Sequence, residues 1–447
     1  MHQFDNYTFF VEHEYHPKEI FLKCFDGNQL WYEQLLEERY LKRSKSSGDI
    51  SFHFVGVISY KNNVICVLPK YFCTSILKDK PNELNLNEIA LIIKVLKRAG
   101  KTDKVTPDFY NINSNQDSSS SELVLADTII RDYLEHGFYQ KEIETVGISQ
   151  EGEVNWDLTV DSLNPIFSRG FPVYIDTYST SHVNEQYYLI TEIHKWAIFS
   201  SISRYGKILD YHFSFDEDHV KDILDLGQIE YLISVLRKEL SQVYTDRRIS
   251  LLKKLIALIS ASFLYQEQGL QLYGTGYFHI IWEKACSTVF NNKLSNYLDS
   301  IPLPIWHDLL GNSIKKSTLI PDIISINESH FFIFDAKYYI INFNTELKIT
   351  LDGNPGIGDI SKQFLYEIAF SKEKFDQIHN CFLFPKLQEA FFSIFGFTTL
   401  ALFPDKRIWN ISISPNKLFM NYLKNQTEGE TQLSKIDTRI KSIIDKA

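Results

Sequence analysis

Two aspartates and a lysine stand where hydrolytic chemistry can use them. Leu319-Ile320-Pro321-Asp322-Ile323-Ile324 reads as a strand carrying an acid among apolar neighbours, and Asn327 to Ser329 as a turn. Phe331-Phe332-Ile333-Phe334 reads as a second strand ending in Asp335-Ala336-Lys337. Strands of an antiparallel hairpin lie about 5 Å apart, so Asp322 and Asp335 converge at one end. Side chains alternate faces along a strand, so Asp335 and Lys337 point the same way. Two carboxylates and one ammonium thus surround a single point. Such hard oxygen donors suit Mg²⁺, which keeps several waters and accepts a phosphate oxygen. The ion polarises a phosphate and lowers the pKa of a bound water, while the lysine positions that water or offsets developing charge. An Asp-x-Lys at a strand end also occurs as a solvated charge pair. Here, however, the charge follows four apolar residues and faces a second acid, which is costly unless paired or metal-bound. A preceding helix, HIIWEKACSTVF, carries Glu283.

The elements that must position these groups follow from pattern and length. At 447 residues the chain exceeds one ordinary core, so two or three domains are expected, with a boundary near 245. Residues 1–245 read as a mixed α/β region, and 246–447 as an α/β domain with a mixed sheet flanked by helices. Within the first part, residues 54–72 have hairpin grammar with a turn at Lys61-Asn62-Asn63. Residues 85–98 and 122–145 read as helices, 113–121 as a serine-rich loop, 152–160 as a strand, and 218–265 as largely helical.

Composition narrows the function classes. A net charge of −10 argues against coating nucleic acid by bulk electrostatics, so any contact must come from local basic patches. Lys315, Lys316, Lys348, Lys362, Lys372 and Lys374 surround the acids in sequence and are candidates, or ordinary surface lysines. Five cysteines without a Cys-x-x-Cys pair indicate neither a disulfide frame nor a zinc ribbon and fit a reducing cytosol. The start lacks signal-peptide character, and no apolar tract is long enough to span a bilayer, so a cytoplasmic protein without a membrane role is expected. Asp352-Gly353-Asn354-Pro355-Gly356-Ile357-Gly358 lacks the Gly-Lys-Ser/Thr ending of a P-loop. Coupled nucleotide hydrolysis would belong to a partner. His279 and His330 flank the acidic elements and read as structural.

Pro321-Asp322 followed by Asp335-Ala336-Lys337 resembles the PD-(D/E)xK nuclease signature, with Glu283 at the place of the acid on the preceding helix. The fuller set, Gly274 to Glu283, both strands, and Asp359-x-x-Lys-Gln-x-x-Tyr366, is similar to the LlaJI-type restriction endonucleases and the McrC-type nuclease subunits. The VGVI…VLPKY stretch and Glu153 to Thr159 match that group's general pattern. The resemblance implies a restriction-endonuclease-like fold at 246–447 and a Mg²⁺-dependent endonuclease, with Mn²⁺ able to substitute, cutting double-stranded DNA in restriction of foreign DNA. It implies an McrB-like hexameric AAA+ GTPase as partner, a role for residues 1–245 in partner docking or DNA recognition, and self-association for double-strand cutting. Carried over by position, Asp322 and Asp335 are metal ligands, Lys337 positions water, Glu283 is an auxiliary ligand, and Gln363 orients Lys337 or contacts phosphate. Tyr366 packs. A repair nuclease or junction resolvase working alone, and a non-cutting adaptor that binds DNA or regulates a motor, share the same core.

Overall fold

A computed structural model describes residues 7–61, 63–72, 82–102, 121–140, 142–148, 152–184, 188–211, 213, 220–264, 270–316, 320–344, 350–371, 373–427 and 429–446. The chain forms two compact units. One takes residues 1–114, 207–210 and 270–447, and the other residues 115–206 and 211–269. The expected division at 245/246 is therefore not where the compact units part. The helix Asp246–Leu264 buries Leu251, Leu255 and Ile259 in one cluster with Leu125, Ile129, Leu232 and Leu236, within the second unit. The first 114 residues instead join the acid-bearing unit, because the strand Leu270–Thr275 that opens its later segment pairs with Val55–Tyr60.

That pairing belongs to a four-stranded sheet. Tyr7–Val11 runs parallel to Asn63–Leu68, which is antiparallel to Val55–Tyr60, which is antiparallel to Leu270–Thr275. The expected hairpin is present and tight, with Tyr60 paired to Asn63. One face packs on the helices Lys18–Cys24 and Gln29–Glu37 through Phe10, Phe21, Phe25, Trp31, Leu35 and Leu272. Gly56 and Gly274 are register partners. A Cβ on Gly274 would lie 2.2 Å from the Val55 carbonyl oxygen and 2.4 Å from the Phe54 ring, so only glycine lets the aromatic ring close over the backbone there.

The second sheet of this unit is mixed and five-stranded. Ile323–Asn327 is antiparallel to His330–Ala336, which lies parallel to Gln377–Pro385, then parallel to Phe403–Ile413, which is antiparallel to Phe392–Leu400. Ile324, Phe331 and Ile333 on one face pack on Tyr366 and Phe370 of the helix Ile357–Phe370. On the other face Phe334 meets Phe290, just past the helix Phe278–Val289, with ring centroids 4.9 Å apart. The expected mixed sheet with flanking helices is thus present. Its first strand is shorter than expected: it starts at Ile323, Ile320 to Asp322 precede the ladder, and Leu319 lies outside the described residues.

In the second unit the expected strand over 152–160 is a correction. Only Glu153–Val154 is strand, and Trp156–Ser162 is helix, started by Asn155, whose side chain accepts the Leu158 N–H at 3.0 Å. A local cap here overrides the alternating pattern. The serine-rich stretch 113–120 lies outside the described residues. Among the described residues no helix is long and apolar enough to cross a membrane.

Candidate active site

Ile323 pairs with Phe334, and the same register continued by one step sets Asp322 opposite Asp335. Opposed residues on antiparallel strands share a face. Asp322 is held in place from both ends. Its main-chain carbonyl accepts the Asn292 side-chain amide at 2.9 Å, and its Oδ2 accepts the Ala336 N–H at 2.9 Å. Asn292 also accepts the Ile324 N–H at 3.0 Å, so one side chain fixes the start of the strand.

The two carboxyl groups hydrogen-bond to each other. Burial and the Asp322 partner push the Asp335 carboxyl up to about 8, and burial raises Asp322 as well. Two acids this close cannot both ionise without help, so the pair shares a proton or a cation. Lys337 supplies part of that help. Its Nζ lies 3.0 Å from Asp335 Oδ2 and 3.0 Å from Asp359 Oδ1, and the two carboxylates hold the ammonium above its ordinary value although burial opposes them. At 17 % exposure it is a fixed charge at the mouth of the pair.

Glu283 stands half-buried on the helix Phe278–Val289. Burial first, and then the charge of Asp335, raise its pKa, which marks it as a neighbour of the pair. Asp322, Asp335 and Lys337 thus lie together, with Glu283 within electrostatic reach of Asp335. Gln363 is not exposed to this group. It is fully buried between two strands, where Nε2 donates to the carbonyls of Ile333 at 3.4 Å and Cys381 at 3.2 Å. The residue of that helix which reaches Lys337 is Asp359, one turn earlier. Gly356 is the cap of this helix, and Asp359 lies in its first turn. Tyr366 packs in the core, and its hydroxyl donates to the Ile320 carbonyl at 2.9 Å, steadying the segment that leads into Asp322.

Two contributors escaped the sequence reading. Glu12 is 5 % exposed, and its Oε2 accepts the Tyr338 hydroxyl at 2.6 Å and the Lys70 N–H at 3.3 Å. The Lys70 ammonium sits 4.3 Å from the centroid of the Tyr338 ring. The residue after Lys337 is thus clasped by the N-terminal sheet. The VLPKY stretch was the available signal for Lys70; Glu12 had none.

Among the described residues no three His, Cys, Asp or Glu side chains are grouped so as to hold a metal by themselves. The donor set is a carboxylate pair with an acid nearby. That set still fits Mg²⁺, which is commonly held by one or two carboxylates, with water and substrate phosphate completing the shell.

The chain is similar to known restriction proteins. Residues 54–420 match the LlaJI restriction endonuclease family. The type II restriction enzyme BsuMI component YdjA of Bacillus subtilis (strain 168) is 34% identical over 445 residues, 97% of this chain and 92% of that protein. Among solved structures, McrC bound to McrB AAA+ hexamers of Thermococcus gammatolerans is similar at 13% identity and a TM-score of 0.35, covering 94% of this chain and 99% of that one. A second structure of the McrBC complex from the same organism gives 13% identity and a TM-score of 0.24, covering 62% and 85%.

Proposed function

The chain belongs to the LlaJI restriction endonuclease family, and is thus a nuclease component of a restriction system, and we propose that Asp322, Asp335 and Lys337 form its metal-dependent centre for hydrolysing DNA phosphodiesters in a PD-(D/E)xK-type core. The observation that carries this reading is the buried carboxyl pair with a lysine 3.0 Å from Asp335. Asp322 and Asp335 would hold Mg²⁺ or Mn²⁺, with Glu283 at the edge of the site. When bound, the cation supplies Lewis acidity to the phosphate and makes a water more acidic.

The protein's own residues supply the rest. Lys337 stays protonated beside two acids, so it acts as a cation facing the negative charge that develops on the phosphate, rather than as a base. Asp359 fixes the direction of that ammonium. Hydrolysis forms a bond from the water oxygen to phosphorus and breaks the bond to the leaving sugar oxygen, with no covalent enzyme intermediate.

The chain has no P-loop sequence, which supports a division of labour with an AAA+ GTPase partner. In the second unit the hairpin Ile166–Ser168 and Phe171–Val173 presents Phe167 and Phe171 to solvent, an apolar tip suited to such docking.

The test is plasmid cleavage with Mg²⁺, with and without any AAA+ ATPase or GTPase found encoded beside the gene. Asp335→Ala and Lys337→Ala are expected to lower cutting at least ~100-fold. Equal cutting by wild type and both variants would reject the assignment.

A further inference from the structure

A second hairpin rises from the rim of the acid site. Ile305–His307 pairs antiparallel with Ser313–Lys315, and every residue of both strands is exposed. Its stem is anchored on both sides of Tyr366. Ile301, which precedes it, packs in the cluster containing Tyr366, and Ile320, which follows it, gives its carbonyl to the Tyr366 hydroxyl. The ribbon therefore leaves the fold a few residues before Asp322.

Its tip is built rather than loose. Asp308 Oδ1 accepts the N–H groups of Leu310 at 2.9 Å and Asn312 at 2.8 Å, Asp308 Oδ2 accepts the Asn312 side-chain amide at 2.7 Å, and Gly311 adopts φ +90°. The turn so fixed holds Leu309 and Leu310 wholly in solvent. The two faces of the ribbon differ. Trp306 opposes Ile314 on one, while Lys315 opposes Ile305 and His307 opposes Ser313 on the other. Lys316, whose N–H closes the stem on the Pro304 carbonyl at 3.0 Å, adds a second ammonium.

Resting on the nuclease reading, we propose that this ribbon engages duplex DNA beside the scissile phosphate, with Leu309 and Leu310 wedging into the base stack and Lys315 and Lys316 on the phosphates. Two observations choose DNA over other occupants. The stem shares Tyr366 as an anchor with the segment that leads into Asp322, so its base lies beside the acid site. The chain is acidic overall, at −10, yet the stem of this ribbon carries Lys315 and Lys316 against one carboxylate, Asp308, which is engaged within the turn, a balance that suits a polyanion. A two-stranded ribbon fits a DNA groove, and inserted leucines are a recurrent way to unstack and kink a duplex.

The test uses full-length protein in EDTA with a fluorescent mixed-sequence duplex, read by anisotropy across a salt series. The pair Leu309→Ser and Leu310→Ser is expected to weaken binding about tenfold with an unchanged salt slope, because wedge insertion is not ionic. The pair Lys315→Gln and Lys316→Gln is expected to flatten the salt slope by about 2. A benzophenone photocross-linker placed at residue 309 is expected to capture DNA, whereas one at Leu402, also exposed and on another turn, is not. These positions are exposed, so an unchanged thermal transition certifies folding of each variant. No capture of DNA, capture only of a second copy of the chain, or unaltered affinity of the leucine variant overturns the proposal. Capture by a wild type that never cuts DNA would defeat the nuclease reading and leave the ribbon standing. Cutting without capture would do the reverse.

Discussion

At Asp335 the protein holds a carboxyl group against its nature, and that strain has a measurable sign. Burial and the Asp322 partner hold the folded carboxyl above its ordinary value of 3.8, up to about 8. Between those limits the metal-free folded state binds more protons than the unfolded chain, so its stability falls as pH rises through that window and the contribution is fully present only below it. Asp335→Asn, which keeps the shape and the hydrogen bond to Asp322 while removing the charge, is expected to raise the metal-free melting temperature at pH 8 and flatten its pH dependence. Thermal denaturation over a pH series checks this; parallel curves for both proteins would contradict it. Asp359→Asn should leave the acids intact but free Lys337 to wander, lowering the cleavage rate roughly tenfold, as loss of an orienting partner commonly does. Single-turnover kinetics read that change. The acids and Lys337 were legible in sequence because the two-residue alternation fixes their shared face. Gln363 was given its role by position in the resembling motif, which does not say which turn of the helix meets the lysine; Asp359, one turn earlier, does so.

Among elements, the strand Leu270–Thr275 carries the most consequence, since it runs almost directly into the helix bearing Glu283. Its place is set by the contact of Gly274 with Gly56 under Phe54. Gly274→Ala would force a Cβ to 2.2 Å from a backbone oxygen, and is expected to destabilise the acid-bearing unit by roughly 3 kcal/mol. Denaturant unfolding followed by tryptophan fluorescence measures the loss, and a change within error would refute the tight approach. The hairpins around 54–68 and 323–336 were readable because apolar runs broken by short polar turns leave few alternatives. The segment after Glu153 was not, because Asn155 acts as a cap through its side chain while the flanking residues keep an alternating look.

For the molecule as a whole, chain order and compact units disagree. The acid-bearing unit is assembled from residues 1–114 and 270–447 with a second unit between them in sequence. No local pattern reports such an arrangement, because it depends on which distant strand Leu270–Thr275 meets. A fragment spanning 246–447 would leave that strand without Val55–Tyr60 and expose Leu270 and Leu272, so it should show no cooperative unfolding. Segments 1–114 and 270–447 produced together are expected to associate, a result that copurification and calorimetry would show; independent cooperative folding of 246–447 would count against the division.

The proposed reaction depends on a cation seated between Asp322 and Asp335. Diffraction from crystals soaked in Mn²⁺, collected at the manganese edge, tests it most directly. The account requires an anomalous peak between the carboxylates of Asp322 and Asp335, lost in Asp335→Ala crystals. Manganese bound only elsewhere on the chain, with that position empty, would contradict it.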